Sequence, residues 1–392
     1  MRKIPVLALL LLAVTTALAQ STFHGNVERT GAYEEPGPTR FGGVKWAFKA
    51  GGAIVTSPAV ADGVVYIGSL DGHLYAVEQD TGKEKWNFKS SRPIASSPAV
   101  DGGTLYFVSS AGALVAIDTA TGKPKWVFAA EFERKFEAKG LHGYPSAAQT
   151  IPDAWDIFTS SPAVAGGKVF FGSGDGGVYA VDAETGLLQW KFATQDVVHA
   201  SPAVSGSTVY IGSWDSSLYA IDAVTGQQKW SFKAGDDPAI HNQVGFQSSP
   251  AVVDGTVYVG TSDSARFMAL DAKTGVLRFN FDAKAYVFSS AAVAAGLVYV
   301  GDHNGKFYAI SASTGKLVWE FRTDASKADP MKVLNPDGSL NQDAFAPVFG
   351  DFEDMYIDFY RFVSIGAIMW SPVVDRGVVY VGSMDGKLYA IE

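Results

Sequence analysis

The chain has no cysteine. That excludes disulfides, thiolate metal ligands and a cysteine nucleophile. It also excludes the lipid-bearing cysteine of a bacterial lipoprotein. Strong positive charge is missing too: 31 Lys and Arg stand against 40 Asp and Glu, a formal charge of −9. Removal of a leader carrying Arg2 and Lys3 would make it −11. Neither nucleic-acid backbones nor anionic membrane surfaces attract such a chain, because both select basic faces. Long apolar runs are confined to the first residues. There a charged start precedes Ile4–Val14 and Ala17-Leu18-Ala19. The run is short for a membrane span and the Ala-x-Ala suits signal cleavage, so a signal peptide over 1–19 is expected, cut before Gln20. The expected product is periplasmic or secreted, with no membrane anchor.

Catalytic signatures are also missing. No Gly-x-Ser-x-Gly elbow, His-Glu-x-x-His or phosphate-cradling loop occurs. Serine and aspartate abound, but at recurring positions. A serine that returns at the same place in every repeat is structural by default.

What the chain has instead is a repeat. Residues 160–192 read SSPAVAGGKVFFGSGDGGVYAVDAETGLLQWKF: four short apolar runs separated by Gly-Gly, Asp-Gly and Thr-Gly turns. Short β-branched and aromatic runs with such punctuation form antiparallel strands. The second residue of the opening Ser-Pro (Ser-Ala in the sixth copy) recurs at 58, 98, 162, 202, 250, 291 and 372. One four-stranded meander cannot bury both faces alone, and copies at a period near 40 read as a β-propeller. The seventh copy stops after its third strand at Glu392, while Val44-Lys45-Trp46-Ala47-Phe48 is an orphan fourth strand. Joining the two closes the ring and leaves no open edge. The expected fold is an all-β, seven-bladed propeller over 44–392, preceded by an irregular segment at 20–43. An eighth, degenerate blade within 322–369 is the alternative.

The spacing locates three insertions, 129–157, 233–247 and 322–369, all between the fourth strand of one blade and the first of the next. With the Ser-Pro strand innermost, they gather on one mouth of the ring, where scaffold loops usually carry binding. Six of nine tryptophans hold the outer-strand repeat position. The other three, Trp155, Trp214 and Trp370, fall on the elaborated face. They either pack the inserted loops or meet a ligand or partner. His199, His241, Gln243, Arg92 and Lys284 share that mouth as candidate contacts. A metal between His199 and His241 is the less favoured use of those histidines, and no metal site is assigned. The acidic–aromatic mixture in 322–369 suits either a protein-binding lid or a short amphipathic helix over the ring.

The motif Ala-x-Asp-x-x-Thr-Gly-x-x-x-Trp stands at Ala180–Trp190 and Ala220–Trp230, with near copies at Ala116–Trp126 and Ala76–Trp86. It resembles the tryptophan-docking repeat of quinoprotein-type (PQQ-like) β-propellers, including the BamB-like propellers of outer-membrane protein assembly. The resemblance implies that each outer-strand Trp packs on the next blade. The clustering of the insertions and the non-repeat tryptophans on one face, with no catalytic set, points to an exported, non-enzymatic scaffold, monomeric and without cofactor, binding a protein or peptide partner of the cell envelope on that face. The alternative that the resemblance carries is a divergent oxidoreductase using PQQ with calcium. Quinoprotein dehydrogenases of that family have a vicinal cysteine pair, a calcium set of Glu, Asn and Asp, and eight blades. The cysteines are missing here and the calcium set has no evident match. A small-ligand or sugar sensor at an aromatic mouth is a third reading.

Overall fold

The computed structural model describes residues 24–26, 29, 46, 48–52, 54, 56–110, 112–130, 136–137, 150–151, 159–237, 242–243, 245–262, 264–345, 360–375, 378–385 and 388–391. Six four-stranded antiparallel sheets follow one another, each made from a single continuous stretch. Blade one comprises Ala59–Ala61, Val64–Gly68, His73–Glu78 and Glu84–Lys89. Blade three comprises Ala163–Ala165, Lys168–Gly172, Gly177–Asp182 and Leu188–Ala193. Blade six comprises Ala292–Ala294, Leu297–Gly301, Lys306–Ser311 and Leu317–Arg322.

Register repeats as strictly as sequence. Ala163 opposes Phe170, Phe170 opposes Ala180 and Ala180 opposes Trp190. The same chain of partners in blade one is Ala59, Tyr66, Ala76 and Trp86. A register shift follows the alanine in each complete blade, as between Ala180 and Val181. Small residues on the third strand leave room for the large aromatic opposite. The middle strands are buried, whereas the outer ones are largely exposed.

The tryptophans hold the blades to one another. Trp86 Nε1 donates to Thr119 O at 3.0 Å, Trp126 to Ala183 O at 3.2 Å, Trp190 to Ala223 O at 3.2 Å and Trp230 to Ala272 O at 3.0 Å. Each acceptor lies in the next blade, just before its Thr-Gly turn. The turn glycine serves two ends. Gly186 has φ +73, and a Cβ there would sit 2.7 Å from the Trp126 ring. Thus the turn's backbone needs glycine, and so does the indole lying on it.

Blade seven has three described strands, Val373–Asp375, Val378–Gly382 and Leu388–Ile391. Its outer-strand docking position is filled from the other end of the chain. Trp46 Nε1 donates to Gln79 O of blade one at 2.8 Å, and a Cβ on Gly82 would meet the Trp46 ring at 2.7 Å. Phe48 lies edge-on to Tyr75 at 5.2 Å, as Phe192 does to Tyr219 at 5.1 Å. Residues 44, 45 and 47 lie outside the described residues. Residues 323–345 form no blade. They hold a short helix, Asp324–Ala328, a 3-10 turn, Gln342–Ala344, and an isolated Leu334–Leu340 bridge. The described residues therefore contain six four-stranded blades and a seventh with three described strands, and no eighth blade among them.

Candidate functional site: the elaborated mouth

The mouth is organised by the serine that opens each inner strand. The Ser57 N–H donates to Ser97 Oγ at 2.9 Å, Ser97 N–H to Ser161 Oγ at 2.9 Å and Ser161 N–H to Ser201 Oγ at 3.0 Å. Ser201 N–H donates to Ser249 Oγ at 3.0 Å and Ser249 N–H to Ser290 Oγ at 2.9 Å. Each link joins one blade to the next, so a polar belt satisfies inner-strand N–H groups that have no neighbouring strand to pair with. The repeating serine is thereby spent on structure.

Around this belt lie the second-to-third loops. The repeating Asp accepts the N–H two residues on and a tyrosine hydroxyl four residues on. His73 N–H donates to Asp71 at 2.8 Å and Tyr75 Oη at 2.7 Å. The same pair recurs as Asp215–Tyr219 at 2.6 Å and Asp385–Tyr389 at 2.6 Å. Burial pushes the Asp71 carboxyl up, but the Tyr75, His73 and Ser69 hydrogen bonds outweigh it and hold it at about 2. Blade two lacks this lock, with Ala111 and Val115 at the two positions. A pocket opens there, lined by Ser109, Thr159, Ser173 and His199 of blades two to four.

Among the residues expected at the mouth, His199 and Trp214 come together. Their rings lie 5.3 Å apart at 73°. The Trp214 Nε1 donates to Gln247 Oε1 at 2.5 Å. His199 and Gln247 both stand two residues before an inner-strand serine, in neighbouring blades, and the indole bridges them. Trp370 is 48% exposed, and its carbonyl accepts from Ser289 Oγ at 3.1 Å. Its backbone is fixed while its ring faces solvent. Lys284 is exposed, 3.9 Å from Asp337 in the third insertion. Arg92 is exposed on the same face. Gln243 lies in a two-residue strand, Asn242–Gln243, paired with Asp236–Asp237. Trp155 and His241 lie outside the described residues, as does most of 129–157, apart from the pairing of Phe136–Glu137 with Thr150–Ile151. Among the described residues no group of three His, Asp or Glu side chains is placed to hold a metal.

Two further side-chain clusters were not expected from the sequence. In blade six the loop reads Asp302-His303-Asn304-Gly305, and the carboxylate stands two positions earlier than in other blades. Asp302 is fully buried and accepts from Tyr308 Oη at 2.6 Å and Lys306 N–H at 3.0 Å. Burial pushes its carboxyl up to about 7, against those hydrogen bonds. The third insertion covers it. Ser326 Oγ donates to Asn304 O at 2.5 Å, Asn304 Nδ2 donates to Gly338 O, and Ile368 N–H donates to Asp302 O at 2.9 Å. His303 is enclosed by Phe288 at 4.3 Å and Phe362 at 5.0 Å, and burial pushes it down to about 4. The departure from Ser-x-Asp-Gly was visible in the sequence and marked this loop.

The second cluster lies in the expected irregular segment. Arg29 is 1% exposed; its Nε donates to Pro162 O at 2.6 Å and its Nη2 to Ser97 O at 2.9 Å. His24, 2% exposed, sits 3.3 Å from Ser371 Oγ. Those partners open the inner strands of blades two, three and seven. Side chains from 20–43 were not expected at this mouth, since nothing periodic marks them.

A comparison with curated proteins found no match. The BamB structure from Moraxella catarrhalis is similar over 88% of this chain and 87% of that one, at 16% identity and a TM-score of 0.62. A europium-containing methanol dehydrogenase is similar over 83% of this chain and 72% of that one, at 15% identity and a TM-score of 0.55. At such identities the likeness is one of fold. The family model described as outer membrane protein assembly factor BamB matches residues 32–137, 138–280 and 239–340, and the chain belongs to that family.

Proposed function

We propose that this chain is an exported, non-enzymatic propeller scaffold that binds a protein or peptide partner on its elaborated mouth, in the assembly of outer-membrane proteins. The observation that carries the reading is Trp370. A large indole stands 48% exposed at the mouth while its backbone is tied to Ser289. An exposed aromatic on a fixed backbone loses little conformational freedom on binding, which favours it as an anchor. Trp214, held by Gln247 and His199, supplies a second rigid aromatic on the same face. Family membership supports a partner in the cell envelope, and the signal peptide expected over 1–19 supports export. No helix among the described residues is long and apolar enough to cross a membrane.

A photo-crosslinking amino acid at Trp370 tests this in cells. Val224, 65% exposed in a third-to-fourth turn on the opposite face, is the control site. The expected result is an adduct from position 370 to an outer-membrane precursor or to a component of its assembly machinery, with none from 224. Equal adducts from both sites, or none, would defeat the reading. Dye-linked alcohol oxidation on adding PQQ and calcium would point instead to the oxidoreductase alternative.

A further inference from the structure

The central channel mouth holds a buried guanidinium, and the way it is held indicates a built site. Arg29 touches two blades at once, through Nε to Pro162 O and through Nη2 to Ser97 O. Burying an arginine head group is costly unless its donors meet acceptors in the right directions. At 1% exposure Arg29 has left water, so the fit must offset that cost. The segment also accepts backbone strain to reach this place. His24 has φ 62 and Arg29 φ 58, both in the left-handed region that side chains disfavour. Between them the Arg29 N–H closes a turn on Asn26 O at 3.1 Å. His24 then meets Ser371 Oγ of blade seven, so His24 and Arg29 together reach inner strands of three blades.

The acceptors belong to the repeat. The serine N–H groups are spent on the belt, while the carbonyls of Ser97 and Pro162 face the segment. A planar fork matches two acceptors on separate strands, whereas a lysine ammonium, a point charge on a flexible stem, does not.

We propose that the channel mouth is a peptide-binding site selective for an arginine side chain, and that residues 24–26 and 29 of this chain occupy it in cis as a plug. The site is independent of the partner reading above, which concerns the aromatic ring of the mouth and not its centre. A tethered segment competes at an effective concentration on the order of millimolar, so the intact protein presents the site already filled.

The test uses the full chain carrying His24→Ala and Arg29→Ala, with a synthetic peptide of residues 20–32 as probe. Titration calorimetry should show the peptide binding to the variant and not to the wild type. A peptide with lysine at position 29 should bind at least about tenfold more weakly. A folded variant that binds neither peptide, or both equally, overturns the proposal. Binding to wild type as strong as to the variant also overturns it. Should the double variant fail to fold, thiol labelling decides instead, because the chain has no cysteine of its own. In the His24→Cys protein the single thiol should react slowly with maleimide. Adding Arg29→Lys should speed labelling at least about tenfold, as the plug leaves more often; unchanged rates overturn the proposal.

Discussion

Blade three and blade six share one register and differ in one loop. Both pair a central alanine with a tryptophan on the outer strand, Ala180 with Trp190 and Ala309 with Trp319. In blade three the loop carboxylate, Asp175, takes the Gly177 N–H at 2.7 Å and the Tyr179 hydroxyl, with Lys191 3.4 Å away near the surface. In blade six the carboxylate has moved to Asp302, and Asn304, in the old place, bonds to the third insertion. The same hairpin thus becomes a turn where it stays near water and an anchor where an insertion covers it. A small change in position converts a repeat loop into the base of an elaboration.

The widest test of the shared part is Trp190→Ala. Trp190 is 8% exposed and bonds Ala223 of the next blade. Its loss should cost about 3–5 kcal/mol, read as a lower urea midpoint. A loss below about 1 kcal/mol would mean that the docking contact is dispensable and the belt alone holds the ring.

The next test addresses the difference. Asp302→Ala strands the buried Tyr308 hydroxyl and the Lys306 N–H, whereas Asp175→Ala leaves groups that solvent reaches more easily. We expect about 2–3 kcal/mol for the first and about 1 kcal/mol for the second. Equal costs would mean that burial under the insertion adds nothing to the Asp302 loop.

The comparison also explains what could be read from sequence. The blades were legible because each repeats the same solution: alanine opposite tryptophan, glycine beneath the neighbouring indole, serine in the belt. The docking of Trp46 on blade one was legible from the orphan motif at 44–48. Trp214 was singled out as a departure from the repeat and His199 as a candidate contact at the mouth, and their rings do meet. The Asp302-His303-Asn304 loop was an equally clear departure that the sequence reading did not use. Arg29 and His24 were beyond reach. Their partners are backbone carbonyls and a serine hydroxyl of inner strands 68, 133 and 347 residues away. No local pattern encodes such contacts, because every blade offers the same groups.

The smallest expected effect sharpens the comparison most, since it separates neighbours. Asp302 is raised to about 7 from an unfolded value of about 3.9, so the folded protein holds the extra proton between those limits. Its contribution to stability is full below about pH 4 and is lost as pH rises through about 7. His303 is lowered to about 4 from about 6.5, so the unfolded state holds the extra proton there. Its contribution is full above about pH 6.5 and is lost as pH falls through about 4. The two slopes oppose each other over nearly the same window, and the wild-type protein should show little net dependence from this loop. His303→Asn should expose the Asp302 slope, with thermal stability falling from pH 4.5 to 7 relative to wild type. Asp302→Asn should expose the reverse slope. Blade three has no histidine beside its loop carboxylate. If the His303→Asn profile runs parallel to that of wild type, the two groups do not titrate against each other in the folded protein. Blade six would then differ from blade three in packing alone.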